Sequence, residues 1–332
     1  MIIIQGKNIK VHIKNKISDW ANSVTDNNTV KTAILENVIV TGGAIVSLLQ
    51  DEKPHDYDVY FRNETSLKLV VDYYINKFVE KAGESINVKP VLQRCYWNEV
   101  KNAWTVLSGE ESHDDVRLRV FIKSAGAVGA DFEPHSETDM DYKKAIAKIN
   151  EQVKKNKSES KEKSEHYFPT FMTNNAITLT DDIQVVLRFY GEPEEIHKNY
   201  DFVHCNSYWS SWNNNLVMPA RALEAIINKE LYYVGSKYPL CSIIRTRKYI
   251  NRGWCINAGQ YVKMILQLNE LDLKNLHVFE EQLIGVDSAY FNDLIGRIEK
   301  MQKTDPDFKM ESSYLIKLIN NVFDEGIEKE NE

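Results

Sequence analysis

The sequence predicts an α/β fold with a mixed sheet, followed by a mainly helical C-terminal domain, and three features carry that prediction. A β-branched run, Asn37-Val-Ile-Val-Thr41, ends at Gly42-Gly43 and passes into the apolar stretch Ala44-Ile-Val-Ser-Leu-Leu49. A period-two segment follows, His55-Asp-Tyr-Asp-Val-Tyr-Phe61, with acidic residues alternating against apolar or aromatic ones. Beyond Pro219 the apolar residues recur at helical spacing to the end of the chain. Alternation marks a strand with two unlike faces, and a three-to-four-residue recurrence marks a helix with one buried side.

Taken in order, residues 10 to 37 read as two short helices, with Val11, Ile17, Trp20, Val30, Ala33 and Ile34 on their apolar sides. The strand 37–41 comes next, then a buried helix starting at the glycines. Asp51-Glu-Lys-Pro54 ends that helix, because proline has no amide hydrogen and clashes with the preceding turn. The acidic alternation over 55–61 is the next strand, and residues 65 to 82 read as an amphipathic helix. The runs 90–96, 103–107 and 116–122 are expected to add antiparallel strands to the same sheet. Residues 141–165 hold eight Lys and five Asp or Glu, which predicts a solvated helix running into a flexible insert. Strands are expected at 176–179, 183–189 and 201–206, with a helix near 193–199. The tail from Glu325 is charged and expected to fray.

At roughly 150 residues per domain, 332 residues allow two domains, and the change to helical spacing beyond Pro219 places them at about 1–218 and 219–332. A content of 43% hydrophobic and 27% charged residues excludes a disordered or fibrous chain. The longest apolar stretch, 38–49, is interrupted by Thr41, Gly42, Gly43 and Ser47 and falls short of the roughly 18 residues of a membrane span. No membrane partner is expected. The start MIIIQGKN carries no cleavage-site pattern, so a cytoplasmic protein is expected. Four cysteines, Cys95, Cys205, Cys241 and Cys255, form no C-x-x-C pair, which predicts reduced thiols rather than a zinc ribbon. The net charge of −7 argues against binding nucleic acid over the whole surface.

The residues that point to chemistry are Gly42-Gly43 and, thirteen positions after the second glycine, Asp56-Tyr57-Asp58. On a strand, residues i and i+2 project to one face, so Asp56 and Asp58 present two carboxylates side by side, a donor set for Mg²⁺. Two such ions can activate an attacking hydroxyl and stabilise the leaving oxygen of a phosphoryl or nucleotidyl transfer. Backbone N–H groups freed of side chains at the glycines form a place for nucleotide phosphates. Either half alone is an ordinary turn or an ordinary strand edge; the order strand, Gly-Gly, helix, D-x-D strand favours function.

On these residues the chain resembles the nucleotidyltransferase superfamily typified by DNA polymerase β, tRNA CCA-adding enzymes and poly(A) polymerases. Thr41-Gly-Gly-Ala44 and His55-Asp-Tyr-Asp-Val59 match the first two parts of its motif. Where the CCA-adding branch carries Arg-Asp after the glycines, this chain has Val46-Ser47. The resemblance implies a palm domain over 1–218 and a helical domain for nucleotide and acceptor over 219–332. It implies a two-metal Mg²⁺ site on Asp56, Asp58 and a third acid on a later strand. Asp201 is the expected third acid, with Asp182 and Asp131 as the alternatives. It further implies an NTP such as ATP as substrate and an RNA 3′ end, tRNA-like, as acceptor, with release of pyrophosphate.

A second region stands out. The window 231–269 contains Lys237, Arg245, Arg247, Lys248, Arg252 and Lys263 and no acidic residue, interleaved with Tyr232, Tyr233, Tyr238, Tyr249, Trp254 and Tyr261. Cations alternating with rings suit a partner that carries phosphates and bases. In the resembled superfamily such residues serve the incoming nucleotide, and Arg245, Lys248, Tyr249 and Arg252 are placed for that, with Ser242 as a further phosphate contact. His197 and His204-Cys205 lack a metal-ligand spacing and read as buried, hydrogen-bonded histidines. Tyr208, Trp209 and Trp212, in the polar segment 206–215, are candidates for a stacking rim. Two other functions fit the same residues: nucleotidylation of a protein or small molecule, and a catalytically silent nucleotide- or RNA-binding module.

Overall fold

The computed structural model describes residues 2–82, 88–101, 103–107, 113, 116–124, 166–173, 175–283, 289–305 and 308–329. The charged insert 141–165 and Asp131 lie outside the described residues. The chain divides into two compact units: residues 1–197 with 205–220, and residues 198–204 with 221–332.

In the first unit, α1 (Ile2–Ser23) and α2 (Asn28–Asn37) precede β1 (Val38–Thr41). One long helix therefore occupies the ground where a short one was expected. Ile9, Ile13, Ile17, Trp20 and Ala21 fall on one side of it and are all buried, as is Val24 just beyond its end. Asn27 caps α2, its side-chain oxygen accepting from the Val30 N–H at 3.1 Å. Every residue of β1 is buried, as expected of a β-branched central strand. After it come α3 (Gly43–Leu49), β2 (Tyr57–Phe61) and α4 (Glu64–Ala82). From α4, Leu67, Val70, Val71, Tyr74, Ile75 and Phe78 are buried in the core.

The main sheet is completed by β6 (Pro169–Met172), β7 (Ala176–Leu179), β8 (Ile183–Val186), β9 (Tyr208–Ser210) and β10 (Asn215–Val217), in the order β10-β9-β1-β2-β8-β7-β6. Among the described strands of this sheet only β2 and β8 run parallel, and the other pairs are antiparallel. The runs expected to extend this sheet do not join it. β3 (Val88–Asn98), β4 (Ala103–Val106) and β5 (Arg117–Ser124) form a separate antiparallel sheet in the order β4-β3-β5. The central strand β3 is paired on both sides within the same three segments, so it needs no place in the main sheet.

Two further expectations change. The segment 201–206 is not a strand: it makes one bridge, Phe202 to Tyr233, flanked by the Val203 N–H to Tyr232 and Val234 N–H to Asp201 hydrogen bonds, then coils into a 3-10 turn at Val203–Asn206. The segment 206–215 is a hairpin of β9 and β10, with Asn214 at φ +48° in its turn. The Trp209 side chain, proposed for a stacking rim, is 2% exposed and packed in the core instead, because alternation along β9 turns it inward.

The core lies between one face of the main sheet and α1, α2 and α4. Val40, Val59, Phe61, Val185 and Ile177 point into it. Trp20 packs edge-on to Phe61 at 6.5 Å and donates its indole N–H to Tyr74 Oη at 2.6 Å. In the second unit, α6 (Ala220–Asn228), α7 (Pro239–Ile250) and α8 (Ala258–Leu268) precede α9 (Leu276–Leu283), α10 (Ala289–Thr304) and α11 (Ser312–Lys329), once the short α5 (Pro193–His197) of the first unit has been counted. Phe279, Leu283, Leu294, Ile298 and Leu318 form the core of the last three.

Truncating Phe61 to alanine removes a fully buried ring beside Trp20, and urea unfolding is expected to show a loss of about 3–5 kcal/mol. A loss under 1 kcal/mol would contradict the central placement of β2.

Candidate functional site

Gly42 and Gly43 connect β1 to α3, and the backbone explains the first of them. Gly42 has φ +81° and ψ −141°, a region that only glycine occupies without strain, and its position is buried. This conformation turns the chain out of the sheet within one residue. Gly43 is exposed, and a Cβ built on it would meet nothing within 4 Å. Open space therefore lies in front of the turn, and Gly43 is not there to relieve crowding.

The D-x-D segment lies on the adjacent strand. Val38 pairs with Phe61, Ile39 with Tyr60 and Val40 with Val59, so the next step of the register brings Thr41 opposite Asp58. Asp58 is half-buried and alternates with the core residues Tyr57 and Val59, which puts it on the face away from the helical core. Asp56 is exposed and lies one residue before the strand begins. The glycine turn thus follows one strand, and Asp58 lies on its antiparallel neighbour.

On the other side of β2, Asp58 pairs with Gln184 of the parallel strand β8. The residue paired with Asp58 on that strand is thus an amide, and the third acid was expected elsewhere, at Asp201 or, as alternatives, Asp182 and Asp131. Asp182 adopts φ +61° before β8, where its carbonyl accepts the Tyr57 N–H and its carboxylate lies 3.6 Å from Lys53 Nζ. Asp201 belongs to the second unit, is 5% exposed and is ion-paired with Arg245 at 2.9 Å. Two residues assigned to separate tasks, metal and phosphate, are thus each other's partners. Among the described residues no group of three His, Cys, Asp or Glu is placed to hold a metal ion, Asp56, Asp58 and Asp201 included.

A polar row crosses the sheet at this level: Tyr208, Thr41, Asp58, Gln184 and Thr178 follow one another through the registers of β9, β1, β2, β8 and β7. Thr41 is fully buried. Its hydroxyl lies 2.9 Å from the Ser207 carbonyl, 3.3 Å from the Cys205 carbonyl and 2.8 Å from His197 Nε2. A hydroxyl has one proton and the carbonyls can only accept it, so His197 Nε2 carries the hydrogen and donates to Thr41. Burial holds the His197 imidazole down at about 4, against the upward pull of Glu194, which keeps it neutral. Sequence reasoning missed Thr41 and set His197 aside. The only signal was a hydroxyl residue ending an otherwise aliphatic strand.

In the second unit, Tyr249 packs against Phe202, His204 and Trp254 with ring centroids 6.0, 4.7 and 5.6 Å away. Lys248 is exposed and Arg252 half-buried; Ser242 is fully buried and donates to the Tyr238 carbonyl at 3.2 Å. His204 is buried, but neither ring nitrogen has a hydrogen-bond partner among the described residues, contrary to the expectation of a hydrogen-bonded histidine. All four cysteines are free thiols, three buried and Cys255 exposed. No described helix is long and apolar enough to cross a membrane.

The buried imidazole makes stability pH-dependent with a definite sign. Burial lowers His204 to about 4, below the unfolded value of 6.5, despite the nearby Asp201 charge. The unfolded chain therefore binds the extra proton first, and stability is lost as pH falls from about 6.5 towards 4. Urea unfolding at pH 5 is expected to show about 2 kcal/mol less stability from this group than at pH 7, and His204→Phe should remove that difference. An unchanged pH dependence in the variant would contradict the burial of the imidazole.

A family model described as Gabija anti-defense 2 family protein matches residues 12–229, the stretch from α1 through the whole main sheet into α6. No curated protein matches the chain.

Proposed function

The chain belongs to the Gabija anti-defense 2 family, and we propose that it acts as a nucleotidyltransferase, moving NMP from an NTP to an acceptor hydroxyl. The observation that carries this reading is the register that sets Thr41, the residue before the Gly42-Gly43 turn, opposite Asp58, whose side chain faces away from the helical core. A phosphate chain needs backbone N–H groups that it can approach, and Gly43 is exposed and has open space where a side chain would stand.

The chemistry of the donor set suits Mg²⁺. Two carboxylates two residues apart are hard oxygen donors, and this cation is commonly held by one or two carboxylates together with substrate phosphates. Asp56 and Asp58 suit that arrangement, and the residue paired with Asp58 on β8, Gln184, carries an amide side chain. Bound there, Mg²⁺ would neutralise charge on the phosphates and lower the barrier to displacement at phosphorus. In the reaction, the acceptor oxygen bonds to the α-phosphorus while the bond from that phosphorus to the bridging oxygen breaks. Pyrophosphate leaves, and the hydroxyl proton passes to water. The glycine turn holds the phosphates and the carboxylate pair orients the reacting groups.

Sequence alone favoured an RNA 3′ end as the acceptor. A protein hydroxyl is the second reading, and one observation favours it. Arg245 is engaged by Asp201 and Tyr249 by a ring cluster, which withdraws two of the four residues assigned to nucleotide or RNA. The family name, anti-defense, also suits modification of another protein.

The test is transfer of α-phosphate label from ATP, CTP, GTP and UTP, with Mg²⁺, to total RNA and to total protein. Asp58→Asn is expected to lower transfer a hundredfold or more with an unchanged thermal melt. Full transfer by that variant would reject the site assignment, and label on protein rather than RNA would establish the second reading.

A further inference from the structure

The glycine turn cannot hold phosphates unless the strand that delivers it is fixed, and Thr41 is the last residue of that strand. Its hydroxyl joins three separate segments: the end of β1, the approach to β9 through the carbonyls of Cys205 and Ser207, and α5 through His197. Those carbonyls consume the only proton Thr41 has to give. The remaining bond is the one that His197 Nε2 donates. His197 is also the last residue of α5, five residues long and starting at Pro193, so its backbone is fixed by a helix of its own. The imidazole packs beside Tyr208, the residue paired with Thr41 across β9, with ring centroids 5.7 Å apart.

We infer that His197 is a positioning residue for the proposed nucleotidyl transfer: by donating to Thr41 it sets the end of β1, and with it the Gly42-Gly43 turn and the spacing to Asp58. The inference rests on the reading of the glycine turn as the phosphate site.

The role makes a specific demand on substitutes. Glutamine can bring an N–H donor to the place of Nε2, whereas the shorter asparagine reaches only about as far as Nδ1, and phenylalanine fills the volume without donating. Label transfer is to be measured against NTP concentration for the full chain and for His197→Gln, His197→Asn, His197→Phe, Thr41→Val and the His197→Phe/Thr41→Val double variant, with thermal melts beside each. The expected result is a KM for NTP raised about tenfold or more in His197→Phe, His197→Asn and Thr41→Val, with kcat within about threefold. His197→Gln should restore KM to within about threefold. The double variant should be no worse than Thr41→Val alone, because that substitution already removes the bond from His197 together with the hydroxyl's bonds to the carbonyls. The inference is overturned if His197→Gln is as impaired as His197→Phe, if the two losses multiply, or if kcat falls at unchanged KM. A wild-type chain that transfers no label to any acceptor overturns the proposed function itself, whereas active wild-type protein with an indifferent His197 overturns only the positioning role.

Discussion

The antiparallel register of β1 with β2 is the constraint on which the rest of the site depends. Pairing Val40 with Val59 places both in the core and, by alternation, leaves Thr41 and Asp58 together on the other face. A slip of one residue would turn Asp58 into the hydrophobic interior, at a desolvation cost far above what one hydrogen bond returns. The register is therefore enforced by the apolar side of the sheet, while its consequence is felt on the polar side. Gly42 then turns the chain out of the sheet before the next step of the pairing.

The two faces of the sheet divide the labour. Helices α1, α2 and α4 cover one face with a continuous apolar core, which supplies the rigidity. Across the other runs the row from Tyr208 through Thr41, Asp58 and Gln184 to Thr178. Buried polar groups in such a row hold their places only when their hydrogen bonds are met, and Thr41 shows how closely this is done. A functional group placed on a rigid strand is held more precisely than one on a loop.

Much of this was legible in the sequence where the signal was local. The strand ending at Thr41, the glycine turn, the D-x-D strand and the helix after it all follow from residues within about thirty positions of one another. What depended on distant pairing was not legible. Nothing in the strand-like runs of 88–124 says that they close on themselves rather than joining the main sheet. Asp201 opened an apolar segment and so read as a strand acid, yet its charge is matched by Arg245, forty-four residues away. His197 meets Thr41 across 156 residues, a separation over which neither periodicity nor motif carries information. The hairpin of β9 and β10 was hidden by its polar composition, although an asparagine with positive φ marks its turn.

The chain passes from one compact unit to the other three times, after His197, after His204 and after Ala220. Seven residues are lent to the second unit before the last two strands of the main sheet are made. A growing polypeptide cannot complete its seven-stranded sheet until that loan has been extended, so the units are woven rather than strung in series. Evolution therefore cannot exchange the helical half at one genetic junction: any recombinant must respect the short excursion that ends in His204, or inherit a sheet whose border hairpin is fed by a foreign loop.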